Sequence, residues 1–237
     1  MISHLRANPS KTHLTLMLAL TFSTGIIDAV GYLGLDRVFT GNMTGNVVIL
    51  GMGLIGGTGL PVLGPAIALA GFMAGAAAGG RALRGVADAW TDKHTALFGS
   101  VATVIVACAV PLVLIDEPSR LTAFCVTAGL GIAMGGQAAT ARHVAVKDVT
   151  TVVVTSTLTG LASDSVLGKG GGQPWRRRAG AVVLIGTGAM AGAVLLRVHI
   201  GWGLGLAAAV TIAVVILGHV THPSRGPRLP YDGVVSQ

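Results

Sequence analysis

Six apolar runs, at 14–35, 61–80, 96–115, 121–141, 179–196 and 200–220, each come close to the length needed to cross a bilayer. A hydrocarbon core about 30 Å thick takes about 20 residues of helix to span. Inside it every backbone polar group must be satisfied within the protein, which leaves helices or closed barrels. Runs this long predict helices, and six of them predict an all-α polytopic membrane bundle. Charge agrees, since only 11% of the 237 residues are charged against about 25% in soluble domains. The mean hydropathy of +0.75 excludes a disordered chain, which pairs low hydrophobicity with high charge. Aromatic residues at 4% are too few for the stacking platforms of single-strand nucleic-acid binders, so no nucleic-acid partner is expected, and the bilayer is the main one.

Two more stretches, 43–60 and 150–168, are nearly long enough to cross but are studded with Thr, Gly, Asn or Asp. Basic residues decide their status, because cytoplasmic loops carry the excess of Lys and Arg. Eight crossings divide the 16 Lys and Arg residues almost evenly between the two sides. Six crossings, with both stretches re-entrant, leave only Arg37, Arg120 and Arg197 outside. The expected topology is therefore six transmembrane helices plus two re-entrant or broken half-helices, with both termini cytoplasmic. Residues 1–12 form a polar, uncleaved cytoplasmic lead, 13–220 one transmembrane domain, and 221–237 a polar tail.

Small residues repeat at helical spacing: Gly71, Gly75 and Gly79, then Gly131 with Gly135, Gly188 with Gly192, and Gly201 with Gly205. Such rows let helix backbones approach closely in lipid. They serve packing within the chain or a homo-oligomer through the glycine faces. A gapless shift that lays Gly25 on Gly136 also lays Val38 on Val149, Thr40 on Thr151, Thr44 on Thr155 and Leu50 on Leu161. Met73-Ala74-Gly75-Ala76 recurs as Met190-Ala191-Gly192-Ala193. With three crossings in each half, about 13–115 and 120–220, the second copy is inverted, as in many secondary transporters.

Asp28 lies inside the first run, where an ionisable group is costly and faces the bundle interior with a partner. It reads either as a proton- or cation-coupling carboxylate or as an acceptor for a broken helix. Tyr32 follows one turn on, and then comes Thr40-Gly41-Asn42-Met43-Thr44-Gly45-Asn46. If that segment is helical, Thr40 lies near Thr44 and Asn42 near Asn46 on one face. A half-helix starting here points its N–H groups and positive dipole end into the membrane, a site for an anionic or carbonyl-bearing solute. Plain interhelical hydrogen bonding by Thr and Asn is the alternative. In the other half, Thr151, Thr155 and Thr159 form a helical hydroxyl stripe with Asp164 beyond, and Gln137 precedes it as an interior hydrogen-bonder. The candidate solute or ion site is thus Asp28, Tyr32, Thr40, Asn42, Thr44, Gly45, Asn46, Gln137, Thr151 and Thr155.

No enzyme, cofactor or metal motif is expected. Gly168-Lys169-Gly170 lacks the spacing of a phosphate loop, no nucleophile elbow or paired zinc histidines occur, and the seven histidines are scattered. Cys108 and Cys125 fall in apolar runs and read as packing residues. Trp175-Arg176-Arg177-Arg178 reads as an interfacial anchor.

The run Gly25-x-x-Asp28-Ala-x-x-Tyr32-Leu33, then Phe39-x-x-Asn42-Met43-Thr44-Gly45-Asn46, Gly135-Gly136-Gln137-x-Ala139 and Thr150-Thr151-x-Val153-x-Thr155 resembles the YoaK family of bacterial inner-membrane proteins, a domain of unknown function. The likeness runs from about Leu16 to His219. It implies a bacterial inner-membrane location and supplies no substrate. The expected function is a small secondary transporter or permease for an unknown small solute or ion, with a passive channel or a non-transporting membrane scaffold as alternatives.

Overall fold

The computed structural model describes residues 8–56, 59–87, 89–115, 118–144, 154–165, 168 and 175–221. All regular structure among them is helical: α1 Pro9–Gly34, α2 Met43–Leu54, α3 Leu63–Ala82, α4 Asp92–Leu114, α5 Arg120–Val144, α6 Val154–Ser163, α7 Trp175–Leu196 and α8 Ile200–Thr221. The six long helices have the length and hydropathy of membrane spans. The short α2 and α6 occupy the two polar stretches. Several long helices begin before their apolar runs because polar residues start them. Pro9 enters the first turn of α1, where its missing N–H costs nothing. Thr91 and His94 close a reciprocal capping box on α4.

Glycine contacts fix the direction of each helix. A Cβ at Gly188 would run into the Phe22 carbonyl, and one at Gly192 would meet that of Ile26, so α1 and α7 run parallel. Gly71 lies on the Ala128 carbonyl and Gly75 on that of Ile132, so α3 and α5 also run parallel. Against α1, α8 is antiparallel, with Gly34 beside Ile200, Gly203 beside Val30, and Ser23 Oγ donating to the Ala207 carbonyl at 3.1 Å. α4 is antiparallel to α8, since Gly201 packs on Val113 and Gly99 faces Val215. α5 is antiparallel to α4, with Gly129 on Cys108 and Gly136 near Val101.

The long helices therefore alternate in direction along the chain. α1 and α3 run oppositely, as do α5 and α7, so α2 and α6 each leave and return on one side without crossing. Lys11, Arg81, Arg84, Lys93, Arg142 and Arg176 to Arg178 fall at one end of the bundle, and Arg37, Arg120 and Arg197 at the other.

The core lies where α1, α4, α5 and α8 meet, among Ile27, Val30, Ile105, Leu112, Leu130, Met134 and Leu204. α3 flanks this group on α5 and α7 flanks it on α1, while α1 and α5 themselves touch only sparsely. Among the long helices the glycine rows are largely consumed by these seams, although a Cβ at Gly205 would meet nothing within 4 Å. Cys108 and Cys125 are free thiols, the first buried and the second exposed.

Candidate functional site

Past the end of α1 the chain turns back on itself. The Val38 N–H donates to the Gly31 carbonyl at 3.3 Å, and a Cβ at Gly31 would strike the Val38 carbonyl. Glycine at 31 is what lets the returning segment lie flat on the helix. That descent brings the Thr40 and Gly41 N–H groups onto Asp28 Oδ1 at 2.9 and 2.7 Å. Asp28 lies less than two turns from the end of α1, is 8% exposed, and is the only acidic residue among the described spans that sits away from a helix end. Its pairing with backbone donors is the compensation a buried carboxylate needs.

At the bottom of the descent α2 starts. Asn42 caps it, its Oδ1 accepting from the Gly45 N–H at 3.2 Å. Asn46, one turn in and fully buried, turns back to Phe39, accepting from its N–H at 2.9 Å and donating to its carbonyl. The Phe39 ring stacks on Tyr32 with centroids 4.8 Å apart, and Gly45 gives it room, since a Cβ there would lie 2.7 Å from Phe39 Cδ2.

These pieces wall a cavity of about 580 Å³. Thr24, Asp28 and Tyr32 of α1 form one side; Phe39, Gly41 and Asn42, with Thr44, Gly45, Val48 and Ile49 of α2, form another. Val154 and Thr155 of α6 and Ile185 of α7 complete it. The starts of both short helices thus meet at one cavity.

Of the residues expected from sequence, Asp28, Tyr32, Asn42, Thr44, Gly45 and Thr155 line it. Thr40 and Asn46 are buried in the wall, where the Thr40 N–H donates to Asp28 and the Asn46 amide holds the Phe39 main chain. Gln137 stands behind Thr24, donating from Nε2 to Thr24 Oγ1 at 3.1 Å, with Oε1 lacking a hydrogen-bond partner among the described residues. Thr151 lies outside the described residues.

Two readings change. Thr40 and Asn42 do not share a helical face with Thr44 and Asn46, because helix begins only at Met43; Thr40 and Gly41 before it form a bend in the segment that returns along α1. The N–H groups open to a solute at the half-helix start are also fewer than expected, since Asp28 takes those of Thr40 and Gly41 and Asn42 takes that of Gly45. In α6, Thr159 donates to the Thr155 carbonyl at 2.9 Å, and of the described stripe only Thr155 reaches the cavity. Asp164 is paired with Arg178 at 2.8 Å.

Sequence reasoning missed Phe39 as a wall, along with Thr24 and Ile185. Thr24 was findable, one turn before Asp28 on the same helical face. It also missed a histidine pair at the other end of the bundle: buried His94 contacts His143 through Nε2 and Nδ1 at 3.1 Å, while His13 packs on Trp90. Among the described residues no group of three His, Cys, Asp or Glu could hold a metal ion.

Residues 16–217 match the sequence profile of a family described as protein of unknown function (DUF1275). The chain belongs to the DUF1275 family. Within this DUF1275 chain, 61 residues are 44% identical to the UPF0700 transmembrane protein YoaK of Bacillus subtilis (strain 168), a match spanning 26% of the chain and 27% of that protein. No solved structure matches the chain significantly. A DUF1275 protein with six spans of this kind is a multi-pass membrane protein.

Proposed function

We propose that this DUF1275 chain is a small secondary transporter or permease of inverted three-plus-three design, set in the bacterial inner membrane with both termini cytoplasmic. The observation that carries the reading is the shared cavity. Two broken elements enter the bundle from opposite ends, and both starts, Asn42 to Gly45 and Val154 to Thr155, line it beside a buried carboxylate. Discontinuous helices meeting at a solute site between repeats are a recurring design of secondary transporters.

Packing supports the repeat. Gly71 and Gly75 of α3 lie on Ala128 and Ile132 of α5, as Gly188 and Gly192 of α7 lie on Phe22 and Ile26 of α1. Gly131 meets Ala68 and Phe72, as Gly25 meets Ile185 and Ala189. Exchanging α1 with α5 and α3 with α7 converts each set into the other. Because α1 and α5 run oppositely, the relation is an inverted one. It pairs Gly25 with Gly131, five residues short of the gapless sequence shift; α5 runs four residues further past Gly131 than α1 does past Gly25, and the connection that follows is one residue longer.

In this scheme Asp28 couples solute movement to protons or cations. The test is electrical recording from proteoliposomes of the full chain on a solid support, challenged with pooled amines, amino acids and organic acids under a proton or sodium gradient. A pool-specific current abolished by Asp28→Asn is the expected result. Currents indifferent to the gradient point to a passive channel, and silence from every pool with folded protein removes the transport reading.

A further inference from the structure

The lining of the cavity narrows what it can hold. Its described side chains include one carboxylate and no Lys, Arg or His. Arg37, just beyond the end of α1, is not among them. A second negative charge here would face Asp28 with no compensating cation among the described lining residues, whereas a positive one gains a partner. Both hydrogen bonds from the returning segment fall on Oδ1. With the Asn42 N–H also interacting with the carboxylate, they fix it where it lines the cavity.

At about 580 Å³ the cavity is in the range of pockets for organic ligands. Compact metal cations also need several oxygens converging at short range, and among the described residues no group of three His, Cys, Asp or Glu is placed to supply them. Thr24 and Asn42 add polar groups, and the rest of the wall is apolar or aromatic. Val48, Ile49 and Ile185 supply aliphatic surface, and the stacked Tyr32–Phe39 pair supplies ring surface, which attracts cations through its quadrupole.

We propose that the cavity binds a small organic cation, a protonated amine, with its ammonium on Asp28 and its apolar body against the Tyr32–Phe39 pair. This deepens and rests on the permease reading of the same cavity. The experiment uses three probes of one shape: benzylammonium, benzyl alcohol and benzoate, titrated calorimetrically into the full chain in detergent. Benzylammonium binds saturably and at least tenfold tighter than the other two. Asp28→Asn keeps Oδ1 as an acceptor for Thr40 and Gly41 and weakens benzylammonium at least tenfold. Tyr32→Leu leaves Asp28 untouched and lowers the preference for benzylammonium over benzyl alcohol severalfold.

Benzoate binding as tightly as benzylammonium overturns the proposal, as does non-saturating uptake of all three. If Asp28→Asn does not fold, the Tyr32→Leu ratio decides alone, and an unchanged ratio counts against it. Saturable amine binding without flux in proteoliposomes upholds the cation site and removes the permease. Gradient-driven flux of organic acids with no amine binding does the reverse.

Discussion

The amide of Asn46 grips Phe39 at both main-chain groups, accepting from its N–H at 2.9 Å and donating to its carbonyl. One side chain thereby satisfies a non-helical segment at a depth where water is scarce, the condition under which membranes tolerate broken backbone. It also places the ring that stacks on Tyr32.

Asn46→Ala orphans both Phe39 groups, each at about 1–3 kcal/mol. Resistance to unfolding in mixed detergent should fall accordingly. Aromatic stacking at Tyr32 should be lost along with it, read as a change in tyrosine fluorescence. A variant as resistant as the parent contradicts the assigned role.

Gly41→Ala places a Cβ 2.7 Å from Thr24 Cγ2 and 3.4 Å from both Asp28 oxygens, so the returning segment must lift off α1. Ligand binding and transport should be lost before folding is. Gly51, in the same short helix, has open space around its Cβ position, and Gly51→Ala should be neutral or more stable by about 0.5–1 kcal/mol. Equal effects at the two positions would mean that close approach at 41 is not what matters.

Gly75→Ala and Gly192→Ala both push a Cβ onto a carbonyl of the facing helix, Ile132 in one case and Ile26 in the other. Overpacking of this kind costs about 1–3 kcal/mol, and the two variants should lose a similar share of their heat resistance in detergent. Gly205→Ala, with nothing within 4 Å, should melt with the parent.

Alternating helix directions place the far end of α2 and the far end of α6 on opposite sides. In a chain lacking Cys108 and Cys125, single cysteines at Ile55, which is 88% exposed, and at exposed Ser163 should react with an impermeant thiol reagent from outside and inside respectively. Labelling of both from one side would break the six-span arrangement.

The spans were legible because about 20 apolar residues admit few other states, and basic residues at the helix ends gave their alternation. Helix limits were less so: α1 reaches back to Pro9 and α4 to Asp92 through polar residues that hydropathy discounts. Asp28 and the Asn42 to Gly45 turn stood out as polar groups in apolar surroundings. Ile185 and Val154 did not, since an aliphatic residue facing a cavity and one facing lipid look alike in sequence. Asn46 was visible as important but not in its orientation; only the path of 38–42 shows that its amide serves backbone and not solute.

α1 and α5 meet only sparsely, and two helix blocks flank that contact, joined through α4 and α8, which pack on each other and on α5 and α1. α2 rides on α3, which is locked to α5, and α6 rides on α7, which is locked to α1. Each block joins elements from both ends of the sequence, and the cavity is the cleft between them, with the Gln137 to Thr24 hydrogen bond as a latch across the gap. If the chain is the permease proposed above, rocking one block against the other is the motion that would expose the site to either side. The glycine seams would then act as welds that keep each block rigid, and the thin seam as the place where the protein gives.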